Sequence, residues 1–377
     1  MTAGAARAVV VGAGIIGTWH AVELVEAGFR VDHLEADAAP TGASVRNFGL
    51  VWVSGRRTGA ELQAARRARR RWEEIGAEVP GVGFRANGSL TVATSDAERA
   101  VMVEYAQSTE ATERAVAFLE PDQVRACNPA VAGDVAGALH CSADGVVEPR
   151  SAPAALRAHL ARQAPDRYCF RPRRRVSAVE ARGVRDTTGT RWAGDLVVVA
   201  PGAAYDQLSA TAAFAPQLRR VRLQMFETAP YHRPLTTSLA DADSLRYYPA
   251  YETTSRGALG EQSAVAAEHH LQLLLVQRPD GALTVGDTHA YAEPFDFALC
   301  EDATEELLAR ARRILGAGLP PVRRRWAGVY VQCRDGGVCA REEIAPDVWL
   351  VTGPGGRGMT CAPAIAADTL RAVGAVP

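Results

Sequence analysis

Apolar residues along this chain fall into short runs whose spacing names the elements in turn. Ala8-Val9-Val10-Val11 is unbroken by any polar residue, the pattern of a parallel strand covered on both faces. It runs into Gly12-Ala13-Gly14-Ile15-Ile16-Gly17. Ile16, Trp19, Ala21, Val22, Val25 and Ala27 then keep mainly to one helical side, and Gly28 is placed to end that helix. Val31 to Leu34 is a second short strand, stopping at Glu35. Much later, Arg175 to Glu180 alternates as a strand does, and a turn-rich hairpin surrounds Thr187 to Thr190. The buried run Leu196-Val197-Val198-Val199-Ala200 comes next. Val348 to Thr352 repeats the pattern before a glycine-rich stretch, Gly353 to Thr360, and an alanine-rich helix from about Cys361 to Val373.

Two long insertions separate these pieces. Residues 76–147 hold a helical stretch, Ala97 to Leu119, flanked by short strands. Residues 217–325 hold longer strands with period-2 alternation, as in Val221, Leu223 and Met225. They include a hairpin whose arms, Leu271 to Val276 and Leu283 to Val285, meet at Pro279-Asp280-Gly281.

The G-x-G-x-x-G between the first strand and helix carries the sharpest chemistry. Gly12 permits a tight turn, Gly14 lets a pyrophosphate approach the backbone, and Gly17 lets helix pack on strand. The helix N-terminus offers unpaired N–H groups and a partial positive charge to phosphates. Glu35 stands 18 positions after Gly17, where an acid accepts hydrogen bonds from ribose hydroxyls. A dinucleotide is the ligand this unit predicts. The fold is therefore expected to be α/β. A discontinuous Rossmann-like nucleotide-binding domain (1–75, 148–216 and 326–377) carries an inserted α+β substrate domain (76–147 and 217–325) on an antiparallel or mixed sheet.

Composition adds exclusions. The 377 residues are 47% hydrophobic and 23% charged, enough for two globular domains, and the formal net charge of −1 draws in neither nucleic acid nor an anionic membrane. No run of eighteen apolar residues occurs, so no spanning helix is expected. Lysine is absent, and all 42 basic residues are arginine, which removes pyridoxal Schiff bases, lysine aldolases and phosphate-loop NTPases. Seven scattered cysteines without C-x-x-C spacing predict reduced thiols in a cytoplasmic protein. The run Arg66-Arg67-Ala68-Arg69-Arg70-Arg71 predicts a solvated helix face, as do Arg173 to Arg175 and Arg323 to Arg325 a solvated surface. His20, His269 and His270 show no metal spacing, and no metal is expected.

Taken in order, the N-terminal glycine motif, the middle strand VVVAPGA and the terminal GPGGRGMT resemble the FAD-dependent amine oxidases, the D-amino-acid, glycine and sarcosine oxidase superfamily. GASVRNFGLVW (42–52), LQMF (223–226), LRYYPAY (245–251), GDTHAYAEPF (286–295) and RWAGVY (325–330) are similar to a subgroup associated with phosphonate catabolism. The resemblance implies non-covalent FAD held by Gly12, Gly14, Ile15, Ile16, Gly17, Glu35 and Ala36. It adds Ser44, Arg46 and Asn47 near the pyrophosphate and ring, then Val176, Ala200 and Gly202. Gly355, Gly356, Arg357, Gly358, Met359 and Thr360 complete the set at the flavin. There, helix N–H groups and the Arg357 charge would stabilise the reduced ring.

The implied substrate is a small aminophosphonate, a 2-aminoethylphosphonate derivative that is N-methylated or 1-hydroxylated. It would be oxidised to an imine that hydrolyses to an aldehyde such as phosphonoacetaldehyde, with O2 or another acceptor taking the electrons. A phosphonate needs donors. The candidates are Arg46, Arg246, Tyr247, Tyr251, His289, Tyr291 and Tyr330, with Gln224 a weaker one; Arg46, Asn47, His289 and Tyr330 are those expected to face the flavin. Relatives acting on α-amino acids clamp the carboxylate with an arginine at the position of Tyr330, and sarcosine-type relatives use a lysine that is absent here. Alternatives are a glycine-, sarcosine- or D-amino-acid-type enzyme, and an RNA-binding flavin-dependent module.

Overall fold

Alternation along the first strand decides which layers form. In the computed structural model, which describes residues 5–316 and 318–376, Arg7–Val11 is an inner strand of a six-stranded sheet. The order is Ala340–Ala345, Val348–Thr352, Leu196–Val199, Arg7–Val11, Arg30–Leu34, Tyr168–Arg171. All pairs are parallel except that of the first edge strand. Ala8, Val10, Val31, Leu196 and Val198 face the helices Ile15–Glu26 and Gly358–Ala372. Val9, Leu34, Val197 and Val199 face the opposite way, toward Val184 of a three-stranded sheet. Burial on both faces is why these strands read as unbroken apolar runs. At Gly17 an added methyl would lie 1.9 Å from the Gly12 carbonyl oxygen, so only glycine lets the helix sit this close.

The insertions form an eight-stranded sheet in the order Val322–Cys333, Leu218–Pro230, Ala282–Gly286, Leu274–Gln277, Ser238–Asp241, Ser89–Ala93, Gly137–Cys141, Val116–Leu119. It is mixed: Ser238–Asp241 runs parallel to Ser89–Ala93, and the remaining pairs are antiparallel. One face packs on the helix Glu301–Leu315 through Leu307, Leu308, Ala311, Ile314 and Leu315. Each such leucine or isoleucine side chain stabilises by roughly 1.5–3 kcal/mol when fully buried. The other face gathers Met225, Leu274 and Val276 with Phe48, Trp52 and Tyr248, and it looks toward the first sheet's loops. Asp144 ties the two regions together. Its carboxylate accepts from the Val53 and Ser54 amides (2.5 and 3.0 Å) and the Ser54 and Ser89 hydroxyls (2.6 and 2.7 Å).

Several expectations need correction. The helix expected over 97–119 is two helices, Asp96–Ala106 and Thr109–Glu113, followed by the strand Val116–Leu119. Ser108 caps the second helix through the Ala111 amide (3.1 Å), and Ala115 adopts φ 54°, ending the helical path. The 325/326 boundary falls inside the strand Val322–Cys333, which belongs wholly to the larger sheet. The terminal helix begins at Gly358.

Arg66 to Arg71 is a solvated face only in part: Arg70 is exposed and Arg69 pairs with Glu73 of the same helix, but Arg67 pairs with Asp368, and Arg71 with Glu23 and Glu26, which ties the helix to both neighbours. All seven cysteines are free thiols. Among the described residues no helix is long and apolar enough to cross a membrane.

Candidate active site

A cleft of about 800 Å³ runs from the first strand–helix turn to the larger sheet. Gly12 (φ +95°) opens it; a Cβ there would lie 2.3 Å from the Ala200 carbonyl oxygen, and one at Gly14 would lie 3.0 Å from the Ser44 Oγ. The Ser44 hydroxyl accepts from the Ile15 amide (2.9 Å), which leaves its own hydrogen to donate to a ligand. Glu35 accepts from the Ala13 and Asp37 amides (2.9 and 3.1 Å), so its carboxylate is fixed where it borders the cleft. Ile15, Ile16, Gly17 and Ala36 line the same end, with Val176, Ala200 and Gly202 across from them. Arg174 and Arg175, expected only as solvated surface, also border the cleft, paired with Asp186 and Asp37.

His33 braces this turn from beneath. Its Nε2–H donates to the Gly12 carbonyl (3.1 Å) and its Nδ1 accepts from the Tyr168 hydroxyl (2.9 Å). Burial lowers its pKa to about 3, which keeps the ring neutral.

At the other end, Gly355–Arg357 make one tight turn into the terminal helix. Thr360 accepts from the Trp52 amide (2.9 Å) and donates to the Leu50 carbonyl (3.1 Å), while Trp72 Nε1 donates to the Met359 carbonyl (3.0 Å). These bonds aim the helix start, Gly358 and Met359, at the cleft. Arg357, expected to add a full charge at the flavin, borders the cleft with that charge already partnered. It pairs with Glu61 (3.1 Å) and donates to the Pro354, Gly336 and Gly337 carbonyls, so it shapes the loop. The Asn47 side chain is likewise engaged. It donates to the Ala43 and Ser44 carbonyls (2.8 and 3.0 Å) and accepts from the Gly49 amide (2.7 Å), closing the turn that presents Arg46. Arg46 donates to the Ala327 carbonyl (3.0 Å) and borders the cleft.

Toward the larger sheet the cleft becomes an aromatic chamber. Tyr247 stacks on His289 (centroids 4.4 Å apart), and His289 faces Tyr291 at 6.3 Å. The Tyr247 and Tyr330 hydroxyls meet at 3.4 Å, and a Cβ at Gly356 would stand 3.7 and 3.9 Å from them. The substrate-side hydroxyls and the glycine turn thus share one space. Burial drives both hydroxyls far above the ordinary tyrosine range, so they act as neutral donors. Arg246 borders the chamber, held by Asp243 (2.8 Å) and the Gly260 carbonyl (2.7 Å).

Two candidates are elsewhere. Tyr251 is 1% exposed and packs edge-on against Tyr105 (4.6 Å), because the turn at Pro249 rotates it into the core. Gln224 is buried in a hydrogen-bonded frame with Cys300 and Thr304. Conversely, Asp287, Gln272 and Arg219 line the chamber without having been singled out; Arg219 lies over the Tyr291 ring at 4.5 Å. The signal for Asp287 was an acid directly after an apolar strand, in GDTH. His269 meets Cys300 and Asp302 within 4.8 Å, and its Nε2 lies 3.2 Å from the Asp302 carboxylate.

The sequence pattern of the DAO family, FAD dependent oxidoreductase, matches residues 7–371. The chain belongs to this family. As a DAO-family oxidoreductase it is FAD-dependent, and the glycine cradle, the fixed Glu35 carboxylate and the helix start at Gly358 fit that cofactor. Its fold is similar to that of glycine oxidase from Bacillus cereus ATCC 14579 (TM-score 0.77, 19% identity, covering 98% of this chain and 95% of that one). L-proline dehydrogenase from P. horikoshii is similar too (TM-score 0.78, 19%, covering 98% and 94%). One of the subunits of opine oxidase from Rhizobium meliloti is 32% identical over 153 residues, which are 36% of this chain and 40% of that protein. Within this DAO-family chain Cys333 lines the cleft and Cys361 is buried in the terminal helix; burial pushes each thiol up to about 11.

Proposed function

We propose that this enzyme oxidises the C–N bond of a small aminophosphonate, a 2-aminoethylphosphonate derivative carrying an N-methyl or 1-hydroxyl group. The nitrogen chemistry is supported by the names of similar proteins, glycine oxidase, L-proline dehydrogenase and iminodiacetate oxidase, each of which refers to an amine. When bound, FAD supplies a two-electron acceptor for the carbon bearing nitrogen and passes the electrons to O2 or another acceptor. The substrate leaves as an imine, and water then gives an aldehyde such as phosphonoacetaldehyde.

The observation that carries the reading is the make-up of the chamber. Where the resemblance puts a carboxylate-clamping arginine, Tyr330 presents a hydroxyl beside that of Tyr247, while Arg46, Arg219 and Arg246 border the space. Hydroxyl and guanidinium donors from several directions suit the three oxygens of a phosphonate better than a planar carboxylate, which one bidentate arginine satisfies. The larger sheet, in this reading, serves substrate binding and the smaller one holds FAD. No acid–base triad is required, since the chain's task is to orient the C–H bond and neutralise the anionic group.

Anaerobic mixing of the yellow holoprotein with 2-aminoethylphosphonate, its N-methyl and 1-hydroxy derivatives, glycine and sarcosine tests this. Bleaching by an aminophosphonate, at least tenfold faster than by glycine or sarcosine, is the expected result. The reverse order would overturn the substrate assignment.

A further inference from the structure

Among the described residues, Asp287 is the one buried acid of the chamber whose surroundings do not account for its charge. It is 6% exposed, follows the strand Ala282–Gly286 and borders the cleft. Among the described residues its side chain accepts one long hydrogen bond from another residue, the Gln272 amide at 3.4 Å, and the nearest basic group within 4.0 Å is His289, with Nε2 at 3.8 Å. The structural acids of this protein look different. Asp144 takes four donors at 2.5–3.0 Å, and Asp241 takes the Arg310 guanidinium at 2.7 Å and the Leu273 amide at 3.1 Å. A buried carboxylate without such partners is costly unless something else completes its shell.

The neighbouring cations are engaged elsewhere. Arg56 donates to the Trp52 carbonyl (2.7 Å) and lies 3.7 Å from Glu61, and Arg219 lies on the Tyr291 ring. His289 Nδ1–H donates to the His270 carbonyl (3.0 Å), which turns Nε2 toward Asp287. His289, 3.8 Å from the carboxylate, stacks with Tyr247 and Tyr291, and all three rings line the same chamber as Asp287. Ring faces here are already taken, Tyr247 against His289 and Tyr291 under Arg219, so the desolvated carboxylate is the group that a positively charged nitrogen would recognise.

We propose that Asp287, walled by Tyr247, His289 and Tyr291, anchors the cationic nitrogen of the substrate. The inference rests on the reading that the substrate is an amine, and it deepens that reading by assigning the two ends of the molecule: nitrogen at Asp287, anionic group at the arginines. Oxidation requires the neutral amine. The carboxylate is the group in place to take the proton, one N–H bond breaking as one O–H bond forms on Asp287.

Binding to the oxidised holoprotein tests this without turnover. Tetramethylammonium serves as the cationic probe, tert-butanol as its uncharged counterpart and methylphosphonate as the anionic probe, each followed by the flavin difference spectrum and by calorimetry. Wild type should bind tetramethylammonium at least tenfold more tightly than tert-butanol. Asp287→Asn should abolish that preference while changing methylphosphonate affinity less than threefold. Equal wild-type affinity for cation and alcohol, no saturable cation binding by either method, or an unchanged preference in Asp287→Asn would overturn the proposal. The wild-type comparison decides even where Asp287→Asn fails to fold. If glycine proves the better reductant yet the cation preference holds, the phosphonate assignment falls and the nitrogen anchor stands.

Discussion

Tyr247 and Tyr251 stand four positions apart in one short motif, yet only the first reaches the cleft. Nothing local distinguishes them: both are tyrosines in LRYYPAY, and the turn at Pro249 that separates their directions depends on how the segment packs against Tyr105. Glycines are easier to read, because Gly12 and Gly17 answer a backbone demand that the adjoining strand and helix already state. Asp287 left only a weak signal, an acid directly after an apolar strand, because the scarcity of its partners shows only in the fold. Arg246 gives these placements a measurable consequence. It is held in place by Asp243, which keeps Arg310 as a second partner when Arg246 is lost. Arg246→Ala should therefore raise KM for an aminophosphonate at least tenfold, about what the loss of a charged hydrogen bond of 1.5–3 kcal/mol entails, with flavin content unchanged. Tyr251→Phe should leave KM within twofold. Steady-state kinetics on both variants, with FAD counted by absorbance, checks the pair; equal effects would put Tyr251 back in the site.

Between elements, the strand–turn–helix–strand unit was legible because its periods are long enough to be unambiguous. The stretch 97–119 was not, because Ser108 and Ala115 interrupt it by capping and by a left-handed turn that pattern alone does not weigh. The His33 bond to Gly12 was also hidden, although it joins the second strand to the dinucleotide turn. Its consequence is a pH dependence of definite sign. Unfolded, the ring titrates near 6.5; folded, burial lowers it to about 3. Between those values the unfolded chain takes up a proton that the folded chain does not, so the contribution is full above pH 6.5 and falls as pH drops toward 3. His20, lowered to about 4 by burial, acts in the same sense. Glu23, raised to about 7 by burial, acts oppositely: its contribution is full below about 4.5 and is lost as pH climbs through 7. Because these partly cancel, the measurement is a difference between proteins. His33→Gln does not titrate, so on going from pH 7.5 to 5 it should lose roughly 2 kcal/mol less stability than wild type. Denaturant unfolding at both pH values checks this, and parallel losses would mean that His33 is protonated in the fold.

Over the whole molecule, the cleft lies where loops of the six-stranded sheet meet the face of the eight-stranded one, and the three chain segments of the first sheet come together at its floor. The order of those segments was visible in the sequence; the register that places Tyr330 against Val221 and sets its hydroxyl beside Gly356 was not, since it arises from pairing more than a hundred residues apart. Because so much of the cleft wall belongs to separate segments, FAD should act as a fastener, favouring the folded state by mass action. At a hundredfold excess over its Kd this amounts to about 2.7 kcal/mol. We expect the attachment to be non-covalent. Cys333 reaches the cleft, but burial pushes its thiol to about 11, and Cys361 is held at about 11 inside the terminal helix, so neither is a thiolate at neutral pH. Acid precipitation should therefore leave the yellow colour in the supernatant and a colourless pellet. The stripped protein, returned to neutral buffer, should melt several degrees lower than the holoprotein and recover that difference, with the colour, when FAD is added back. Colour retained in the pellet would show a covalent bond, with Cys333 the thiol to replace first. A melting temperature indifferent to FAD would mean that the two sheets hold the cleft in shape unaided.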